Sequence, residues 1–349
     1  MDDVPAVTEL LAAWERAEPV DNSYTETEIR EEFAAPTAAL DGGGVAVLAD
    51  GRLVGYGLLH VIVREPEWVA FSDGGVHPEW HRRGIGRRIL EHQVEQAGRL
   101  RGAQAPDHPG ELRVGVAEAR VGTRLALESV GFATERYFFR MRADLRGPAW
   151  APVDAPSGVR IREYRTEDEE AVRLASNAAF ADHWGSAPRD PDVWRAEYPG
   201  ASSFRPAASF VAEGTADHGA EGTADGAEGA DHGAQGTADG AERTDHGAQG
   251  TADPGGGIVG FVLAAEHEAD TAQRGHRTGY VSRVGTTRAA RGRGIGTALV
   301  SRSLVAMRAQ GFAEAELHVD AQSPTGAGRL YSRLGFGVVD RDRLLTRVL

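Results

Sequence analysis

The chain has 349 residues, 41% of them hydrophobic and 26% charged, with a formal net charge of −14. That length exceeds one average core and predicts two domains, and the lack of cysteine excludes disulfides, thiolate metal sites and a cysteine nucleophile. No apolar run approaches the roughly 18 residues that cross a bilayer, and Met1-Asp2-Asp3 does not open a signal peptide, so a cytoplasmic chain is expected. The acidity is local. Residues 213–253 hold ten acidic side chains and one Arg, a net of −9. The remaining −5 leaves no basic surface, so neither nucleic acid nor membrane is an expected partner. All 38 basic residues are Arg, which a GC-rich coding sequence accounts for.

In chain order, the pattern predicts a helix over 4–17, strands over 45–49, 53–63 and 69–76, a helix from 84 to about 100, a strand over 112–116 and a helix over 120–130. Three prolines among residues 148–156 then mark a stiff connector over 147–157, which separates an N-terminal domain (1–146) from a C-terminal one (158–349). The second domain repeats the order: a strand at 159–162, a helix opened by Thr166 and its acidic followers, and strands at 208–212, 258–264 and 280–284. A helix over 294–310, a strand over 315–319, a helix over 325–334 and a closing strand near 336–340 complete it. The first half shows no counterpart of the strand at 159–162, so either that strand is missing or translation starts upstream. A tract at about 213–256 repeats Asp-His-Gly-Ala with a 14-residue period from Asp217. It carries no large apolar residue to offset the roughly 1–2 kcal/mol per residue of ordering, and reads as a disordered insertion between two strands of one sheet. Its Asp-His pairs stand on too pliant a chain to hold a metal, and none is expected.

Two segments match each other. His81-Arg82-Arg83-Gly84-Ile85-Gly86 and Arg291-Gly292-Arg293-Gly294-Ile295-Gly296 each end a strand, turn, and open a helix with an apolar face. A helix N-terminus presents unpaired N–H groups and partial positive charge, and glycine lets an anion approach closely, which suits a pyrophosphate. The Gly-Lys-Ser/Thr of nucleotide hydrolases is absent, and the dinucleotide spacing fails at Leu299.

The second segment resembles the Q/R-x-x-G-x-G/A signature of the GNAT superfamily, and the first keeps both glycines with His81 in the Q/R place. The resemblance implies two tandem GNAT folds of α/β (α+β) class, each a mixed, mostly antiparallel twisted sheet flanked by helices. It implies an acetyl-CoA-dependent N-acetyltransferase acting on a primary amine of a small molecule or peptide, as a monomer or homodimer. By the same resemblance, Val284, Thr286, Arg291, Gly292, Arg293, Gly294, Ile295, Gly296, Thr297 and Ser323 would hold the cofactor, with Val76, His81, Arg82, Gly84 and Gly86 in the first half. Ser323 replaces the Asn common in the family. Leu330-Tyr331-Ser332-Arg333-Leu334-Gly335-Phe336 is similar to the family's Leu-Tyr-x-x-x-Gly-Phe, which makes Tyr331 the implied general acid. Leu127 stands in the equivalent place of the first half, so chemistry is expected only in the second, as in the mycothiol-synthase group of tandem GNAT proteins. That group carries an acid–base Glu where this chain has Tyr280. Glu266, Glu268 and His318 are the candidate bases, alongside His267 and Asp320. The competing reading is a catalytically silent acyl-CoA-binding scaffold or sensor.

Overall fold

The computed structural model describes residues 3–18, 23–64, 67–147, 151–214, 257–322 and 327–349. Most of the repetitive tract, Ser323 and residues 148–150 of the connector lie outside the described residues. The first half comprises α1 (Val4–Ala17), α2 (Glu26–Ala34), the one-turn α3 (Leu40–Gly43), β1 (Val45–Ala49), β2 (Arg52–Arg64), β3 (Glu67–Val76), α4 (Ile85–Gln104), β4 (Gly110–Ala117), α5 (Val121–Ser129) and β5 (Ala133–Asp144). The second comprises β6 (Val159–Glu163), α6 (Glu169–Phe180), α7 (Pro191–Glu197), β7 (Phe210–Gly214), β8 (Ile258–Ala265), α8 (Glu268–Arg274), β9 (Thr278–Thr286), α9 (Ile295–Ala309), β10 (Glu314–Asp320), α10 (Ala327–Arg333) and β11 (Gly337–Val348).

Local signals account for several of these limits. Helix α2 opens on a reciprocal cap: Glu28 N–H donates to Thr25 Oγ1 (3.2 Å) and Thr25 N–H to the Glu28 carboxylate (2.8 Å). Asp190 caps α7 by accepting from Asp192 and Val193 N–H at 3.0 and 2.9 Å. Neither helix stands out by apolar periodicity. Both are signalled only by their caps.

All eleven strands form one sheet in the order β1-β2-β3-β4-β11-β5-β10-β9-β8-β7-β6. Only β3–β4 and β10–β9 run parallel; the other neighbours are antiparallel, as a mixed, mostly antiparallel fold requires. The order corrects one expectation. The last strand does not close the sheet of its own half: β11 pairs with β4 of the first half, while β5 pairs with β10 of the second. The side chains follow. Met141 and Ala143 of β5 lie in the core beneath α9, with Leu299 and Leu317, whereas Leu345 of β11 lies in the core beneath α4, with Leu59 and Leu112. A pseudo-twofold relation between β5 and β11 thus puts α4 and α9 on one face of the sheet and α1 and α6 on the other. The tract joins β7 to β8, which are neighbours in the sheet, at the position the sequence implies.

Because each half borrows a strand, the two should unfold together. Leu345→Ala, at a site with 0% exposure, is expected to cost about 2–5 kcal/mol and to lower one transition of the whole chain in urea. Separate transitions for the two halves would contradict the exchange.

Candidate functional site

The two matched segments fold alike. In the second half, β9 leads through a turn at Arg288–Ala290 to Gly292 and Gly294, at φ 76° and 84°, and Gly294 is the left-handed N-cap of α9. In the first, β3 leads through a turn at Pro78–Trp80 to Arg82 and Gly84, at φ 59° and 79°. Arg82 thus adopts without glycine the conformation that Gly292 adopts with it, at a cost of about 1–2 kcal/mol. The first ladder bonds are Ala298 N–H to Gly294 O and Arg88 N–H to Gly84 O, both 3.1 Å. The preceding amides, including those of Ile295, Gly296 and Thr297, have no intrahelical partner. Nothing lies within 4 Å of a Cβ placed at Gly84, Gly292 or Gly294, so the space before each turn is open to an anion. At Gly296 a Cβ would stand 3.3 Å from Leu330 Cδ1 and 3.8 Å from Thr286 Oγ1.

Several charged side chains of these turns brace the loops. Arg291 grips Asp182 through Nη1 and Nη2 (2.7 and 2.8 Å) and the Ala179 carbonyl (2.7 Å), tying the loop to the end of α6. Arg293 donates to Ser157 O (2.7 Å), and His81 Nε2 donates to Val76 O (2.9 Å).

Beside each loop the two parallel strands part. Strands β9 and β10 pair only from Thr278 to Tyr280, and β3 and β4 only from Trp68 to Phe71. The β10-facing backbone groups of Val281–Thr286, Val284 among them, are left without ladder partners. The halves differ at this opening. The β8–β9 ladder passes from Ala264↔Val281 to Leu263↔Arg283, so exposed Ser282 forms a bulge. The β2–β3 ladder runs unbroken from Gly55↔Val76 to Arg64↔Glu67.

Tyr331 and Leu127 occupy the same turn: Phe336 N–H bonds Tyr331 O and Phe132 N–H bonds Leu127 O, each at 3.1 Å. The Tyr331 ring meets Phe336 edge-on at 5.9 Å. Its hydroxyl has no hydrogen-bond partner among the described residues, and burial pushes it up to about 12, so it holds its proton at neutral pH. Leu127 is fully buried.

The three base candidates separate clearly. Glu266 is held by Arg277 (Nε 2.7 Å, Nη2 2.7 Å) and Arg205 (Nε 3.0 Å). Burial works to raise it, but the two guanidinium groups outweigh that and hold it below the ordinary carboxylate range. A carboxylate so held is a brace for the β8–β9 hairpin, not a free base. Glu268 is exposed and touches Arg205 at 3.2 Å. His318 lies on β10 beyond the last β9–β10 pair, half exposed, with Nδ1 3.5 Å from Asp342. Tyr280 donates to Asp270, and burial followed by the Asp270 charge raises its hydroxyl far above the usual range, so it cannot take over a carboxylate's role as base.

Sequence reasoning missed three neighbours. Arg283 is clamped by Ser176 Oγ (2.7 Å) and Tyr198 OH (3.1 Å) under the Phe180 ring. His183, just past α6, is lowered by burial and so favours the neutral form. Trp184 reaches from the second half over Arg113 and Arg136 of the first, 4.5 and 4.4 Å from their guanidinium carbons. None belongs to a short motif, so no local signal marked them.

Fold and site together define an acetyltransferase built from two like halves. The family model described as Acetyltransferase (GNAT) family matches residues 7–105 and 226–336. The chain belongs to this GNAT acetyltransferase family. It is 38% identical over 305 residues to a mycothiol acetyltransferase of Streptosporangium roseum, covering 86% of this chain and 83% of that one. A mycothiol acetyltransferase of Salinispora tropica is 28% identical over 340 residues, covering 96% and 89%. Among solved structures, a GCN5-related N-acetyltransferase from Sphaerobacter thermophilus has a TM-score of 0.67 at 24% identity, covering 99% of this chain and 93% of that one. A tandem GNAT protein from the clavulanic acid biosynthesis pathway has a TM-score of 0.67 at 18% identity, covering 99% and 95%.

Glu266→Gln should separate brace from base. It removes the charge facing two guanidinium groups, at a cost of about 3 kcal/mol for a partly buried pair. The pH profile of acetyl transfer should not move. The parent's stabilisation from Glu266 is present above the unfolded carboxylate range and fades as pH falls through its lowered value. Thermal melts of parent and variant should therefore converge in acid.

Proposed function

We propose that the protein transfers the acetyl group of acetyl-CoA to a primary amine of a small molecule, and that the second half performs the reaction. The relatives' name, mycothiol acetyltransferase, makes their reaction the first to assay. The observation that carries the assignment to one half is the contrast at the parted strands. The second half combines the Ser282 bulge with a protonated, unpartnered Tyr331 hydroxyl, while the first has a continuous ladder and Leu127. A leucine cannot donate a proton to a departing thiolate.

In this reading the amides ahead of Ala298 receive the pyrophosphate, and the open space at Gly292 and Gly294 fits that close approach. The unpaired amides of β9 near Val284 face the developing oxyanion. Acetyl-CoA supplies an acyl group on a leaving thiolate. Tyr331 gives that thiolate its proton. His318, backed by Asp342 and facing the groove between the halves, takes the proton from the acceptor ammonium. The groove presents charge pairs to a polar acceptor, including Arg140–Asp340 at 2.8 Å and Arg136–Asp320 at 2.9 Å.

Two experiments bear on this. Gly294→Ala forces an L residue to φ 84°, a strain of about 1–2 kcal/mol that should raise the KM for acetyl-CoA roughly tenfold. Gly84→Ala should leave steady-state turnover unchanged, and the reverse pattern would move the reaction to the first half. In the same assay Tyr331→Phe should lower kcat by about 10²-fold or more, and His318→Gln should lower kcat/KM for the amine by about 10²-fold while leaving the KM for acetyl-CoA unchanged. An unaltered rate in either variant would dismiss the corresponding role.

A further inference from the structure

One face of the first half carries a cluster that acetyl transfer does not use. Opposed residues of an antiparallel pair share a face. Leu58 pairs with Asp73, so Tyr56, His60 and Asp73 project together from β2 and β3. Glu32 enters from α2, with Oε1 3.4 Å from His60 Nε2, and Asp73 Oδ2 lies 4.0 Å from the same nitrogen. The three potential ligand atoms lie within 4.8 Å of one another. Ligands about 2.0–2.2 Å from a tetrahedral zinc ion stand about 3.4 Å apart, so small side-chain adjustments would close the set.

Three features favour a cation over a chance cluster. First, His60 is oriented from behind: Nδ1 lies 3.3 Å from Thr37 Oγ1, which leaves Nε2 directed at the carboxylates, as outer partners of metal-bound imidazoles do. Second, no arginine pairs with Glu32 or Asp73 among the described residues, so their charge facing His60 is left for a cation to meet. Third, Tyr56 is 6% exposed and makes no hydrogen bond among the described residues. Two residues along β2 from the Leu58–Asp73 pair, it stands on the same face of the sheet as His60 and Asp73. The recess stays open, since 58% of the Asp73 side chain still meets solvent.

We propose that Glu32, His60 and Asp73 bind a divalent transition-metal ion of the zinc type, with water or the Tyr56 hydroxyl in the remaining position. One imidazole nitrogen and two carboxylates form a donor set suited to such an ion. Bound there, it would clamp α2 onto β2 and β3. Helix α2 also reaches the second half, where Glu28 meets His267 at 2.6 Å and Glu31 meets Ser202 at 3.0 Å. The ion would therefore stiffen the junction between the halves and would take no part in the acyl transfer.

The test is calorimetric titration of the chelator-treated full chain with zinc, together with visible absorption of the cobalt(II) form. One equivalent should bind, raise the melting temperature, and give cobalt bands of a low-coordinate site. His60→Gln and Asp73→Asn should each weaken binding by more than the roughly 100-fold loss that an outer partner causes. Circular dichroism of the metal-free variants should match the parent. A variant lacking residues 215–256 removes the Asp-His repeats and should bind zinc as the parent does. The proposal is overturned if the full chain binds no stoichiometric zinc, if binding disappears with the repeats, or if Asp73→Asn binds like the parent. The cobalt spectrum of the parent tests the site even if a variant fails to fold.

Discussion

The exchange of closing strands is the constraint on which the rest of the molecule depends. A parallel pair that opens into a cleft needs support on its outer side, and here each pair is supported by a strand from the other half. Strand β10 leans on β5, and β4 on β11. The burial of Met141 beneath α9 and of Leu345 beneath α4 makes each core incomplete without the other. The exchange also fixes which surfaces meet. It keeps α1, α2, α6 and α7 on one face, so the groove between the halves is lined by side chains from both. Trp184 over Arg113 and Arg136 crosses that groove.

Within this shared frame the two halves share the same glycine-led helix start and differ in what surrounds it. Both helices start from a left-handed glycine with free amides ahead of the first ladder bond. Arg82 shows that the turn tolerates an L residue at one of its two positive-φ positions when the fold imposes it. The differences lie a few ångströms away, in a strand bulge and in the residue at one helical turn. Neither difference disturbs the cores, so the turn accepts either a tyrosine or a leucine. Leu127 fills its position as a core residue with 0% exposure.

Local chemistry made much of this legible. The loops were readable because glycine, turn and helix start are consecutive in sequence and their physics is local. Tyr331 and Leu127 could be compared because each precedes its Gly-Phe pair by a fixed interval. The helix at Glu26–Ala34 stayed concealed because its apolar pattern is weak, and the structure reveals it with its reciprocal Thr25–Glu28 cap. Base candidates could not be sorted in the same way. Glu266 and His318 are both polar residues near strand ends, and what divides them is the approach of Arg205, 61 positions before Glu266, and Arg277, 11 after it.

The sequence by itself determined the two-half plan, most of the repeated order of strands and helices though not β5, and the two glycine-led helix starts, because periodicity, caps and glycine placement act over a few residues. Tertiary structure alone decided that the last strand serves the first half, that Glu266 is a brace, and that Glu32, His60 and Asp73 converge. Strand order and charge pairing depend on which distant surfaces complete each other's burial. A strand with the alternation of β11 would fit beside either β4 or β10, and only the joint packing of both cores selects one.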